Sequence, residues 1–280
     1  PSLGRRDIRD LAERHGIRPT KRLGQNFLVD PNLARAIADL AGAAPGVHIV
    51  EVGAGLGSLT VALADAGADV LAIEFDRAII PALQEVVGGN PRVRVEVADA
   101  MRLDWHVLLG DGPWTFASNL PYNVAVPLLV TLLEDVPQIT AYVVMVQREV
   151  ADRLVAGAGT DAYGAVSAKV AWLAEATFLR PVPPDVFWPQ PKIESALVGL
   201  VPRAPRAATP RAALFRVIDE GFAQRRKTMA NALRRLGMHA ESASATLVAA
   251  GIDPRARAEE LDLDAFVRVT DALVAARVLA

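Results

Sequence analysis

The chain has 280 residues, a formal net charge of −2 and no cysteine. Disulfides and thiolate metal sites are therefore excluded, and the four histidines are too scattered along the chain to suggest a metal site. The length is that of one large plus one small domain. No apolar run approaches the roughly eighteen residues of a membrane span and no signal peptide opens the sequence, so we expect a cytoplasmic protein without a membrane partner.

Positive charge is concentrated in two parts of the chain. Residues 1–22 hold seven Arg or Lys against three acids, and residues 203–235 hold nine against two. Because the whole chain is close to neutral, this separation favours a polyanion held beside the rest of the protein, although solvated arginine-rich helices are the alternative. We expect residues 1–18 to be a loosely ordered basic segment, which Pro19 separates from the next part of the chain.

The stretch IVEVGAGLGSLT, residues 49–60, indicates a strand, a tight loop and a helix start. Residues 47–52 have the β-branched content of a buried parallel strand. Gly53 and Gly55 remove the side chains that would keep a ligand away from the backbone, and a helix opening at Gly57 or Ser58 points free N–H groups at the same place. The stretch therefore predicts a site for a nucleotide-like ligand.

The spacing of glycines and acidic residues narrows the class of ligand. A dinucleotide fingerprint needs a third glycine where this chain has Ser58, whereas here G-x-G-x-G follows Glu51. The next two apolar runs end in Glu74 and Asp99, which can accept hydrogen bonds from ribose hydroxyls and from an adenine amine. Three ordinary strand ends with solvated acids are the alternative, but the pattern favours S-adenosylmethionine over NAD.

The order of the predicted elements implies the fold class. Strands alternate with helices from residue 47 to residue 147, which predicts a mainly parallel sheet with ligand binding at the carboxyl ends of its strands. We therefore predict an α/β, Rossmann-like class I methyltransferase fold over residues 19–202. Residues 203–280 are helical in period after a proline-rich linker, and we predict a small C-terminal all-α domain there.

A second chemical motif, Asn119-Leu120-Pro121-Tyr122, ends the strand beside the central one. The side-chain oxygen of Asn119 and the carbonyl of Leu120 can both accept from a flat exocyclic amine, and Tyr122 offers a face for the base. Phe187, on a rigid proline-rich loop, is the candidate for a second stacking face. The alternatives are a turn with a buried tyrosine and a phenylalanine of the core.

The stretch FAQRRKTMANALRRL, residues 222–236, has a helical period. It places Phe222, Met229, Leu233 and Leu236 on one apolar face and the basic residues largely on others. Four cations of this stretch are our candidates for contacts with the phosphates of a polyanion: Arg225, Arg226, Lys227 and Arg234.

Together these motifs resemble the KsgA-type 16S ribosomal RNA adenine dimethyltransferases, over about residues 19–270. The motifs that carry the resemblance are LGQNFL at 23–28, EVGAGLGSLT at 51–60, NLPYN at 119–123, FWPQPKIESA at 187–196 and FAQRRKTMANAL at 222–233.

The resemblance implies a role for individual residues. Asn26 and Leu28 would line the methionine and ribose end of S-adenosylmethionine, and Gly53 its carboxylate end. Glu74 would hold the ribose and Asp99 the adenine. Asn119 would contact both the donor and the target base.

The activity implied by the resemblance is dimethylation at N6 of two adjacent adenines near the 3′ end of 16S ribosomal RNA, in a small-subunit precursor, by a monomer. Two other functions remain open. One is a macrolide-resistance methylase of 23S ribosomal RNA, which shares the glycine loop and an N-x-P-Y motif. The other is a non-catalytic RNA-binding assembly or transcription factor on the same fold.

Overall fold

The structure is a computed structural model that describes residues 2–20, 24–121, 124–204, 208–224 and 226–279. The chain divides into two compact units. The first unit contains Pro1–Ala151 and Thr177–Pro202, and the second contains Asp152–Ala176 and Arg203–Ala280.

A seven-stranded sheet forms the centre of the first unit. The strands in chain order are β1 (Phe27–Leu28), β2 (His48–Val52), β3 (Asp69–Glu74), β4 (Val93–Val97), β5 (Trp114–Asn119), β6 (Ile139–Gln147), β7 (Ala174–Val182), β8 (Phe187–Trp188) and β9 (Ser195–Pro202). The sheet has the order β4-β3-β2-β5-β6-β9-β7, while β1 and β8 form a separate antiparallel pair. Strands β2 to β6 run parallel and β9 runs antiparallel to β6, so the prediction of a mainly parallel sheet is confirmed.

The α-helices, in chain order, are α1 (Arg5–Arg14), α2 (Pro31–Leu40), α3 (Ser58–Asp65), α4 (Ile80–Val87), α5 (Trp105–Leu109), α6 (Ala125–Asp135), α7 (Arg148–Val155), α8 (Ala165–Leu173), α9 (Arg211–Phe222), α10 (Met229–Arg235), α11 (Ala240–Ala249) and α12 (Leu263–Ala275). Asp30 directly before Pro31 is a typical helix start, and Asp30 does cap α2, because its side chain accepts from the backbone N–H groups of Asn32 and Leu33. No helix within the described ranges combines the length and apolar character needed to cross a bilayer.

Helices α2 and α3 close one face of the sheet. They bury Leu33, Ile37 and Leu63 in one cluster with Ile49 of β2 and Met145 of β6. Each such side chain contributes about 1.5–3 kcal/mol of stability when fully buried. This core holds β2 and β5 side by side at the centre of the sheet, which is where the candidate site lies.

The N-terminal segment differs from the expectation of a loosely ordered tail. Residues 5–14 form α1, which buries Ile8, Leu11 and Ala12 against Phe27 and Ile79. The three buried positions follow the i, i+3, i+4 spacing of one helix face, and this face is apolar enough to fix a helix that is otherwise highly charged.

The second unit is helical, and the aromatic rings of Tyr163, Phe222 and Phe266 lie in one row within it, with centroids 5.6 and 5.9 Å apart. Helix α8 packs against α9 and α12, and Lys169 of α8 forms a 2.8 Å ion pair with Asp219. These contacts group residues 152–176 with the C-terminal helices, whereas the sequence predicts them in the first domain.

Residues 222–236 are not one helix. Helix α9 ends at Phe222 and α10 begins at Met229, so Arg226 and Lys227 lie in the turn between them. The backbone N–H of Met229 donates to the carbonyl of Ala256, and Thr228 pairs with Arg257 as an isolated bridge. The backbone of this turn therefore bonds to residues 256–257 instead of continuing a helix.

Candidate active site

The site lies where the order of the parallel strands reverses. The chain proceeds from β2 to β3 and β4 on one side, then returns to β5 on the other side of β2. A cavity of about 270 Å³ opens at the carboxyl ends of these strands. Such a switch point is the usual ligand crevice of an open α/β sheet. Eight of the predicted site residues line it: Asn26, Leu28, Gly53, Gly55, Glu74, Asp99, Asn119 and Leu120.

The glycine loop after β2 forms the floor of the cavity. Gly53 has φ of 76° and Gly55 has φ of 55°, a region that side chains other than glycine rarely adopt. A Cβ atom on Gly55 would lie 3.1 Å from the ring of Phe27, and one on Gly53 would lie 3.5 Å from Cδ of Pro121. Both positions therefore need glycine for their conformation, and Gly55 also needs it for the tight space beside Phe27.

Glu74 stands at the end of β3 with both carboxylate oxygens held by the backbone. The N–H of Gly55 donates to one oxygen at 2.9 Å and the N–H of Asp76 donates to the other at 2.8 Å. The residue is only 8% exposed, and burial raises the pKa of its carboxyl group while these N–H groups oppose the rise. The result is a fixed acceptor pair, and each oxygen keeps a lone pair for a ligand.

Asp99 follows β4 and accepts a hydrogen bond from the N–H of Met101 at 3.0 Å. Two apolar residues that sequence reasoning missed line the cavity beside these acids: Phe75 is 61% exposed and Met101 is 44% exposed. The sequence does hold an indication of both: Phe75 comes directly after Glu74, and Met101 comes two residues after Asp99. Exposed apolar side chains at a cavity wall can pack against a flat ring.

Asn119 ends β5, and its orientation is set by the loop that carries Asn26. The amide nitrogen Nδ2 of Asn119 donates to the carbonyl of Asn26 at 3.3 Å, so Oδ1 is the atom left to accept from a ligand. The backbone N–H of Leu120 donates to Met145 at 3.1 Å, which ties the motif to β6. Tyr122, predicted as a stacking face, lies outside the described residues.

The structure does not bring Phe187 to the cavity. Its side chain is 1% exposed and packs in the core with Leu28, Val186 and Leu197. Strand β8 pairs with β1, and this pairing turns Phe187 inward, while its neighbour Trp188 stacks on Phe27. In this arrangement no face of the Phe187 ring is open to a base, contrary to the expectation.

Gln25 is a structural link that sequence reasoning missed. Its Nε2 donates to Asp76 at 2.7 Å, and its Oε1 accepts from the N–H of Thr20 at 2.8 Å. The loop of Asn26 is thereby attached to the residues that come after Glu74. Two walls of the cavity are thus joined by one amide side chain.

Glu51 is a buried carboxyl group at the base of the cavity. It is 2% exposed, and Oγ1 of Thr60 donates to its Oε2 at 2.6 Å. Burial raises the pKa of Glu51 to about 8, the Thr60 hydrogen bond lowers it, and the charge of Glu74 raises it further. The position of Glu51 before the glycine loop distinguishes the cofactor classes, but no pattern in the sequence indicated that its carboxyl group is buried.

In the second unit the predicted RNA contacts are exposed cations. Arg226 and Lys227 in the turn and Arg234 on α10 are exposed, and none of the three forms an ion pair with another described residue. Arg235 is different, because its Nε lies 2.8 Å from Glu220. Arg225 lies outside the described residues.

Comparison with known proteins identifies relatives along almost the whole chain. A family model described as ribosomal RNA adenine dimethylase matches residues 17–274. A ribosomal RNA small subunit methyltransferase A from Cutibacterium acnes is 46% identical, over 97% of this chain and 94% of the relative. A protein of the same name from Kineococcus radiotolerans is also 46% identical, over 95% of this chain and 90% of the relative.

Two solved structures share the fold. A dimethyladenosine transferase from Plasmodium falciparum has a TM-score of 0.74 at 22% identity and covers 87% of this chain and 95% of its own. The 23S rRNA methyltransferase ErmE has a TM-score of 0.66 at 24% identity and covers 89% of this chain and 100% of its own. At these identities the likeness concerns the fold, and it confirms the predicted Rossmann-like methyltransferase architecture.

Proposed function

This chain belongs to the ribosomal RNA adenine dimethylase family, and we therefore propose that it dimethylates N6 of two adjacent adenines near the 3′ end of 16S ribosomal RNA. The methyl donor in this proposal is S-adenosylmethionine. The observation that carries the proposal is that Glu74, Asp99 and Asn119, at the ends of three strands, line one cavity together with the glycine loop.

The residues present fit this donor. The fixed carboxylate of Glu74 can accept from both ribose hydroxyls, since each of its oxygens has a lone pair beyond the backbone bond that it already accepts. Asp99 is the acceptor for the adenine amine. Phe75 and Met101 are apolar walls for the adenine ring.

The methionine end of the donor lies, in this proposal, against the glycine loop. Gly53 and Gly55 leave the backbone open there, and Asn26 and Leu28 line the opposite side. When bound, the donor supplies an electrophilic methyl group on a sulfonium ion.

Asn119 is the residue that orients the target amine. Its Oδ1 accepts one N–H of the adenine amine because Nδ2 is engaged with Asn26, and the carbonyl of Leu120 accepts the other. Two acceptors in one plane orient the amine nitrogen toward the methyl group of the donor. Catalysis in this proposal therefore comes from positioning the amine and does not need a strong base. Water takes the proton from the methylated amine. The reacting amine is hidden within a duplex, so the target adenine must be unpaired or flipped out.

The remaining contacts are with RNA. Arg226, Lys227 and Arg234 are exposed cations without carboxylate partners among the described residues, and Arg225 completes the set by its place in the sequence. In the proposal they bind phosphates of 16S RNA in a small-subunit precursor. We further propose that one copy of the chain acts alone, in the cytoplasm.

The test is methylation of ribosomal subunits from a strain in which the gene is deleted. Small and large subunits are incubated separately with the purified protein and S-adenosylmethionine, and primer extension then locates the modified adenines. The proposal expects stops at two adjacent adenines near the 3′ end of 16S RNA and none in 23S RNA. Stops in 23S RNA would identify a macrolide-resistance type of methylase, and RNA binding without stops would identify a non-catalytic factor.

A further inference from the structure

Two arginines, one helical turn apart, connect α1 to the residues around β8. Both guanidinium nitrogens of Arg5 donate to backbone carbonyls, NH1 to Phe187 at 3.5 Å and NH2 to Asp185. The guanidinium carbon of Arg9 lies 6.0 Å from the ring centroid of Trp188, within the range of a cation–π contact. Helix α1 is thus more than a cover for the core, because its charged face reaches residues next to the candidate site.

Arg9 is the most exposed of three residues whose contacts lead outward from the donor cavity. Phe27 lines that cavity, and its ring lies beside Gly55, where an added Cβ would meet it at 3.1 Å. Trp188 stacks on Phe27 with centroids 6.2 Å apart and an interplanar angle of 29°. The order from the cavity to the surface is therefore a phenyl ring, an indole ring and a guanidinium group.

Arg9 differs from its charged neighbours on α1. Arg14 pairs with Glu85 at 2.6 Å, and Arg6 lies 3.7 Å from Asp10. Arg9 is exposed and forms no ion pair with any residue that the structure describes. Its positive charge is held against an aromatic ring and is not neutralised by a carboxylate.

We propose that Arg9, supported by Trp188, is a stacking platform for the base of an RNA nucleotide that flanks the target adenine. This inference rests on the proposed function. A guanidinium group is planar, stacks on flat rings and donates to phosphates, so it can extend the stack by one base and hold the neighbouring backbone. The other six basic residues among residues 1–22 flank Arg9 in the sequence, and RNA binding requires such an excess of positive charge. The first unit then has an RNA contact of its own, separate from the cations of the second unit.

Two substitutions at Arg9 distinguish the contribution of the planar guanidinium group from that of its positive charge. Arg9→Lys keeps the charge and loses the plane, whereas Arg9→Gln loses both. Arg92→Gln is the control for loss of an exposed arginine: Arg92 lies just before β4, at the end of that strand away from the cavity, and it pairs with Asp69 at 3.4 Å. Affinity for unmethylated small subunits and for a single-stranded oligoadenylate is measured over a range of KCl concentrations, and affinity for S-adenosylmethionine verifies that each variant is folded.

We expect both Arg9 variants to bind RNA at least about fivefold more weakly, the loss of one stacked base. Arg9→Gln alone lowers the slope of log affinity against log salt, by about 0.7 for one lost phosphate contact on a single strand. Arg92→Gln leaves RNA affinity unchanged. Native affinity in Arg9→Lys would overturn the stacking platform, and equal losses in Arg9→Gln and Arg92→Gln would show a general charge effect instead.

The oligoadenylate titration separates this inference from the proposed function. If the native protein fails to methylate small subunits, the proposed substrate is wrong, yet the response of oligoadenylate binding to the Arg9 changes still decides whether the platform exists. If methylation occurs and the Arg9 changes have no effect on either RNA, only the platform is wrong.

Discussion

The donor cavity of the first unit and the basic turn of the second unit present polar groups in opposite ways. In the cavity, Glu74 and Asn119 each have at least one side-chain atom engaged by the protein itself, which leaves a defined atom or lone pair for a ligand. In the basic turn, Arg226 and Lys227 are exposed and have no carboxylate partner among the described residues. The cavity is built for one geometry, whereas the turn supplies charge that can adapt to a flexible polyanion.

This difference predicts how each region responds to mutation. Removing a fixed polar group from a preorganised site costs far more than removing one of several exposed charges, since the latter are screened by salt and act nearly independently. Single substitutions should therefore be severe in the cavity and gradual in the turn.

The largest effect is expected at Asn119. Asn119→Ala removes the acceptor that orients the target amine, and loss of one preorganised polar group commonly costs about a hundredfold to a thousandfold in turnover. Single-turnover methyl transfer with saturating RNA and donor measures this step. Asn90→Ala is the control and should transfer at the native rate, since Asn90 lies before β4, at the end of that strand away from the cavity, where its Oδ1 accepts from the N–H of Arg92. A native rate in Asn119→Ala would remove Asn119 from the mechanism.

A second prediction concerns the buried carboxyl of Glu51. Its folded-state pKa of about 8 lies above the usual 4.5, so the folded state keeps a proton that the unfolded state loses between these values. The free energy of unfolding should therefore fall as pH rises from 4.5 to 8, at up to about 1.4 kcal/mol per pH unit from this group.

Glu51→Gln isolates this contribution, because the neutral amide can still accept from Thr60. Urea unfolding of the donor-free protein should show Glu51→Gln gaining stability relative to the native protein between pH 5 and pH 8, by about 1 kcal/mol or more. Parallel stability curves for the two proteins over this range would show that Glu51 is ionised in the folded state.

The smallest effect is expected in the basic region. Arg234→Gln should lower the slope of log RNA affinity against log salt by about 0.7, because it removes one phosphate contact. Arg235→Gln is a matched control on the same helix, since Arg235 is already paired with Glu220. Equal slopes for Arg234→Gln and the native protein would make Arg234 a solvated residue, and donor affinity should be unchanged in both variants.

Much of the cavity could be predicted from the sequence because strand ends determine its walls. The carboxyl ends of parallel strands lie at the same end of a sheet, so Glu74, Asp99 and Asn119 were expected to lie close together. Their side-chain chemistry then indicated what they could bind. The cap at Asp30 can also be predicted from neighbouring residues alone, because an aspartate directly before a proline is a typical helix start.

The features that differ from the sequence-based predictions depend on tertiary packing. No pattern near Phe187 indicates that β8 pairs with β1, and it is this pairing that turns the Phe187 ring into the core. The break between α9 and α10 depends on a backbone contact with Ala256, which lies far along the chain. Helix α1 could have been found from the spacing of Ile8, Leu11 and Ala12, but its high charge concealed that short apolar face.

Calorimetric titration of S-adenosylmethionine decides whether the cavity is a donor site, because the proposed binding mode depends on the carboxylate of Glu74. Glu74→Ala removes two charged hydrogen bonds to the ribose, each contributing about 1.5–3 kcal/mol, so donor affinity should fall at least about tenfold. Glu96→Ala on β4, whose carboxylate faces Arg94 instead of the cavity, should bind the donor as the native protein does. Unchanged donor affinity in Glu74→Ala, or tight binding of NAD by the native protein, would contradict the assignment of this cavity to S-adenosylmethionine.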